Sequence, residues 1–192
     1  VLLTTLVAAI FYRQLVAVVM WPWEQAVGQY LAANPEAKAE LINKDLVSPF
    51  MLALKTSLVT GLIAASPVWL YQLWSFIVPA LLDQEKKYAI RFVAAAIPLF
   101  LSGCALGFFV LPQGFAFMLQ FTVGGVLNLQ DINDFLSLEL TLIVLFGVSF
   151  LLPVVLVMLN LIGVVTGAQL SSARTYAIFG CFLFGAMATP SA

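Results

Sequence analysis

Catalytic chemistry needs groups that titrate or attack, and this sequence offers few in a usable arrangement. Its 192 residues contain no histidine. That removes the commonest general base, zinc ligand and haem ligand, and an H-E-x-x-H metal site cannot be written. Asp45, Asp83, Asp131 and Asp134 fall in segments expected to be loops, so no aspartyl pair lies within an apolar run. No G-x-S-x-G nucleophile elbow is present. Cys104 and Cys181 both lie inside apolar runs and read as helix-packing residues. Only Lys55 and Glu139 approach those runs as ionisable groups, each at the end of one, where a side chain can snorkel to water. The sequence reads as a non-enzyme with no cofactor and no metal.

The elements that carry these groups follow from composition. Hydrophobic residues make up 63% of the chain and charged residues 9%, against roughly a quarter charged in a soluble domain. Mean hydropathy is +1.08. A core of this length cannot absorb that much apolar surface, so much of it faces lipid. A net charge of −1 excludes the basic surface of a nucleic-acid binder.

Residues 56–82, 92–130 and 140–173 contain no charge, and each run exceeds the ~20 residues a membrane helix needs. The longest is interrupted by Pro112-Gln113-Gly114 and Gly124-Gly125, and reads as one span followed by interfacial structure. Val1–Tyr12 would cover only ~18 Å of a ~30 Å hydrocarbon core, and reads as the distal part of a span. The expected spans are therefore 1–12 (partial), 52–76, 89–111, 138–161 and 175–190. Pro67, Pro98 and Pro153 fall inside three of them and predict kinked helices around a concave bundle. The fold class is all-α, a polytopic membrane helix bundle.

Lys86, Lys87 and Arg91 crowd residues 80–91, whereas 112–137 carry no Lys or Arg. This contrast puts loops 77–88 and 162–174 in the cytoplasm and segments 13–50 and 112–137 outside. Full counts tie, with Lys86, Lys87, Arg91 and Arg174 inside against Arg13, Lys38, Lys44 and Lys55 outside. The 13–50 segment also holds Glu24, Glu36, Glu40 and Asp45 and reads as a small outer domain, with Trp21 and Trp23 where an interfacial belt would want them. Two functional classes stay open on these grounds. One is a bundle that binds something in its cytoplasmic loops or grooves, the other a secondary transporter or channel subunit for a small solute.

Four segments break that tie. Ser48-Pro49-Phe50 with Leu54-Lys55 opens a span; Ala65-Ser66-Pro67 leads into Tyr71-Gln72-Leu73-Trp74-Ser75-Phe76-Ile77, Pro79-Ala80-Leu81 and Glu85-Lys86-Lys87. Phe146-Gly147-Val148-Ser149-Phe150 precedes Pro153, and Gly163-Val164, Leu170, Arg174, Tyr176 and Thr189-Pro190 follow. In this order they resemble TatC, the multi-spanning receptor subunit of the twin-arginine protein translocase. The resemblance implies six spans with both ends cytoplasmic, in the cell membrane, with part of the first span and all of the last outside this sequence. It implies recognition of paired arginines in signal peptides of folded cargo by the N-terminal tail and first cytoplasmic loop. Export would then be driven by the proton-motive force, with single-span TatA/TatB-type subunits and further copies of the chain as partners.

Carried onto this sequence, the family's signal-peptide contact falls on Glu85, whose carboxylate could accept bidentate bonds from guanidinium groups. Lys87 occupies the motif's basic position, and Phe76 and Pro79 would wall the apolar part of the signal. The alternative reading makes Asp83, Glu85, Lys86 and Lys87 a solvated loop. Around Thr189, the small residues Gly180, Gly185, Ala186 and Ala188 permit close helix approach. They would meet either a single-span partner or the chain's own sixth span. Two departures stand out. Where the family carries a glutamate after F-G-x-x-F this chain has Leu151, and where it tends to have an acid after Thr-Pro this chain has Ser191 and Ala192.

Overall fold

The computed structural model describes residues 1–34, 39–77, 86–121, 128–161, 166–167, 175, 178–180 and 182–183. Within them run α1 (Leu2–Ile10), α2 (Tyr12–Val19), α3 (Trp21–Ala33), β1 (Ala39–Ile42), α4 (Ser48–Ala64), α5 (Ser66–Ile77), α6 (Lys86–Leu119), β2 (Asn128–Asp131) and α7 (Ile132–Leu161).

Two stretches, Val93–Leu119 in α6 and Ile132–Asn160 in α7, are each long and apolar enough to cross a membrane. At most a third of either apolar window is buried against protein, so the remainder is suited to face hydrocarbon. Pro112 lies inside α6, which continues to Leu119. The expected break at Pro112-Gln113-Gly114 is therefore corrected. An apolar environment gives an exposed backbone no water partner, so a helix continues through proline more readily than it unravels.

Two further helix pairs bend sharply. Leu2–Ile10 and Tyr12–Ala33 meet at 86°, and Ser48–Ala64 and Ser66–Leu73 at 60°. The second bend has a local cause. Pro67 has no N–H and its ring opposes the preceding turn, so α4 stops at Ala65 and α5 restarts with Ser66-Pro67 in its first turn. Trp69 Nε1 donates to the Leu62 carbonyl at 3.0 Å, satisfying an acceptor at the break.

The packing of α6 on α7 rests on glycines facing aromatic rings. A Cβ on Gly147 would lie 2.5 Å from Cys104 Sγ and 2.8 Å from Phe100 Cε2; one on Gly103 would lie 2.8 Å from the Phe146 carbonyl oxygen. The F-G-V-S-F segment thus has a packing role, with small residues letting the two backbones approach. Cys104 is a free, buried thiol in that contact. Cys181 lies outside the described residues.

At one end of these helices α3 packs on α6, burying Trp23, Ala26 and Tyr30 at helical spacing. Trp23 meets Phe135 edge-on at 5.0 Å, and Phe115 meets Phe135 at 4.6 Å. Trp23 is only 8% exposed, so it is a core residue instead of the interfacial-belt residue expected. Trp21 stacks on Phe108 at 5.5 Å. Beside this cluster β1 and β2 form a parallel pair in the register Ala39↔Asn128 through Ile42↔Asp131, a small addition to a helical fold.

Candidate functional site

Between α4 and α7 lies an open groove of about 730 Å³. Lys55, Ser137 and Thr141 form its polar end, and Val59, Leu62, Val144, Leu145 and Val148 continue it as hydrocarbon. The lining positions recur every three or four residues, as one face of a helix requires. Lys55 Nζ donates to Ser137 Oγ at 2.8 Å and to Asn133 Oδ1 at 3.3 Å. Ser137 Oγ donates in turn to the Asn133 carbonyl at 2.6 Å. Lys55 is therefore fixed to the first turns of α7, half-buried, by neutral oxygens. Leu151 follows Val148 by one turn and packs partly buried against the core, so the groove's far side stays apolar.

The start of α7 is built separately. Asp131 Oδ1 accepts from the backbone N–H of Asn133 at 2.7 Å and of Asp134 at 3.4 Å, an N-terminal cap. Lys44 Nζ lies 3.9 Å from Asp131 Oδ2 and 3.8 Å from Asp134 Oδ2. Burial pushes the Asp131 carboxyl up, but the Asn133 and Asp134 N–H groups and the Lys44 ammonium outweigh it and hold it below the ordinary carboxylate value. Asp131 and Asp134 thus belong to β2 and the first turn of α7, where loops were expected.

Glu139 differs most from its sequence reading. It is 0% exposed, and neither carboxylate oxygen has a hydrogen-bond partner among the described residues. It does not snorkel. Two residues after Ser137, it sits about 200° round α7, turned from the groove and into the core that also holds Leu136 and Ile143.

Of the residues assigned to signal recognition, Phe76 lies in the last turn of α5 and Lys87 at the start of α6, two helices that pack together. Pro79 and Glu85 lie outside the described residues, as do Gly185, Thr189 and most of the expected 175–190 span. Sequence reasoning missed the Lys55–Ser137–Asn133 junction. Its only sequence signal was a lysine opening an apolar run. Among the described residues no group of three or more Cys, Asp or Glu is arranged to hold a metal ion.

Long apolar helices, a proline-directed bend, glycine-mediated helix contact and an open, largely apolar groove define a polytopic α-helical membrane protein. A family profile described as Sec-independent protein translocase protein (TatC) matches residues 1–192, and the chain belongs to that family. It is 38% identical over 146 residues to a Sec-independent protein translocase protein TatC of Frankia casuarinae, covering 76% of this chain and 40% of that one. With the TatC of Azotobacter chroococcum it shares 39% over 153 residues, covering 79% and 60% respectively. A crystal structure of the twin arginine translocase receptor TatC superposes with a TM-score of 0.75 at 34% identity, covering 100% of this chain and 83% of that one. The chain spans 40% to 60% of the length of the first relatives it matches.

Proposed function

We propose that this chain is the receptor core of a twin-arginine translocase, binding the paired arginines of signal peptides on folded cargo at the 77–88 loop. The observation that carries the reading is the likeness to a twin arginine translocase receptor across the whole chain. The helices on either side of residues 78–85, α5 and α6, pack on each other, which is compatible with that reading. Glu85 accepts the guanidinium groups, Lys87 orients it, and Phe76 and Pro79 contact the apolar part of the signal. The 77–88 and 162–174 loops and both ends of the full-length protein face the cytoplasm. Residues 13–50 and 112–137 face outward from the cell membrane. Single-span subunits dock near Gly185 and Thr189, and transport uses the proton-motive force.

Binding of an Arg-Arg signal peptide and its Lys-Lys form to the full-length protein and to Glu85→Gln tests this. Tight binding only of the Arg-Arg peptide to the unmodified protein supports a recognition carboxylate; equal affinity in all four combinations refutes it. A cysteine at Gln84 stays shielded from an impermeant thiol reagent in intact cells while one at Ala37 reacts. The opposite pattern reverses the orientation. Photo-crosslinks from position 189 to a separate small subunit support docking there, and crosslinks confined to the chain reject it.

A further inference from the structure

The α4/α7 groove has the chemistry of an amphiphile's receptor, and this holds whether or not the signal-peptide reading does. Its polar end carries a cation, Lys55. Two of the three Lys55 donors go to neutral oxygens, on Ser137 and Asn133. The nearby carboxylates of Asp131 and Asp134 face Lys44 instead. Among the described residues no carboxylate pairs with Lys55. A half-buried ammonium beside hydrocarbon draws an anion to itself.

The rest of the groove suits only hydrocarbon. From Ser137 to Val148 the α7 wall runs eleven residues, about 16 Å, or roughly half the ~30 Å hydrocarbon core and so one leaflet's depth. Val59 and Leu62 line it opposite Val144, Leu145 and Val148, and Leu151 follows one turn further along α7. Its volume of about 730 Å³ is open to the surface, and α7, which forms one wall, leaves most of its apolar window uncovered.

We propose that this groove binds one anionic phospholipid from the leaflet at the Asn133 end, with its phosphate on Lys55 Nζ and an acyl chain along Val59, Leu62, Val144, Leu145 and Val148. The lipid completes the Lys55 junction and fills the space between α4 and α7.

Native mass spectrometry of the purified full chain with phosphatidylglycerol and phosphatidylcholine tests the site. One phosphatidylglycerol is retained about fivefold more strongly than phosphatidylcholine, the effect of a single basic residue. Lys55→Met abolishes the preference and Lys55→Arg keeps it. Val144→Trp, which plugs the groove and leaves Lys55 in place, releases the lipid. Equal retention of the two lipids by the unmodified chain overturns the proposal without recourse to any variant. So does a preference that survives Lys55→Met, or lipid that survives Val144→Trp. Displacement by soluble glycerol phosphate would make the groove a free-phosphate site, and a second copy of the chain bound in place of lipid, lost in Val144→Trp, would make it a helix interface. Either result also overturns the proposal.

Discussion

Replacing Gly147 with alanine tests how closely α6 and α7 approach. The added Cβ would sit 2.5 Å from Cys104 Sγ, and 2.8 and 3.1 Å from two carbons of the Phe100 ring. Optimal separation between non-bonded carbons is about 3.5–4.0 Å, so the overlap is on the order of 1 Å. Neither neighbour can retreat cheaply. The Cys104 side chain is too short to swing clear, and Phe100 is 1% exposed and held edge-on by Trp69 at 5.5 Å. The helices must part, at the ~1–3 kcal/mol typical of overpacking. Alanine also favours helix by up to ~1 kcal/mol over glycine, which masks part of that cost. Gly28→Ala provides the correction, because its Cβ would meet nothing within 4 Å. Denaturant unfolding in detergent should place Gly147→Ala about 1–3 kcal/mol below Gly28→Ala, a 5- to 150-fold shift in the folding equilibrium. Adding Cys104→Ala should recover part of the loss and leave the Phe100 contribution. Equal stability of Gly147→Ala and Gly28→Ala would refute the close approach.

Three other outcomes are expected. Glu139→Leu should stabilise the protein by about 1–3 kcal/mol in the same unfolding assay, since it removes a buried carboxyl with no partner among the described residues; destabilisation would show that the carboxyl has found one. The folded-state pKa of Asp131 is depressed, so its contribution is present above the unfolded value and is lost as pH falls through the folded one. Asp131→Asn, which can still cap α7, should therefore be less stable than the unmodified chain at neutral pH and converge with it in acid; a pH-independent gap would contradict the ionic contribution. Leu151→Glu should cost about 2.5–3.5 kcal/mol of insertion or packing and, if the family's glutamate serves a late translocation step, raise export per molecule. Reduced yield with unchanged export per molecule would reject that role.

The charge-free runs made α6 and α7 legible, because lipid demands long uninterrupted apolar helices and little else in the sequence could satisfy it. The bend at Ala65 was legible too, since Pro67 acts through local sterics. What escaped was set by tertiary contact. Trp23 reads as an interfacial aromatic until α3 folds onto α6 and Phe135 covers it. Ala39–Ile42 and Asn128–Asp131 show no strand pattern by themselves, and their pairing depends on how the helices bring them together. Glu139 did carry a usable signal, because it shares a helical face with Leu136 and Ile143 and so follows the core, though charge alone suggested water. The Lys55–Ser137 bond joins residues 82 apart, beyond any local pattern. The signal-recognition role proposed for Glu85 rests on the resemblance of its motif, P-x-x-x-Y-Q-x-W-x-F-I-x-P-A-L-x(3)-E, and Glu85 itself lies outside the described residues.

The parallel pairing of β1 with β2 imposes an order of events during synthesis. Ala39 has its partner in Asn128, so 89 residues must be made, with α4, α5 and α6 among them, before the first strand can close its hydrogen bonds. At ~5–20 residues per second that wait is about 4 to 18 s. Throughout it the backbone edge of Ala39–Ile42 and the ring of Trp23 lack their final neighbours, Phe135 coming later still. Residues 39–127 are therefore made before this pairing can form, and the arrival of 128–135 is the closing event for that end of the molecule. A ribosome stalled before Asn128 should leave Ala39–Ile42 open to protease, and one stalled well beyond Phe135 should leave it protected.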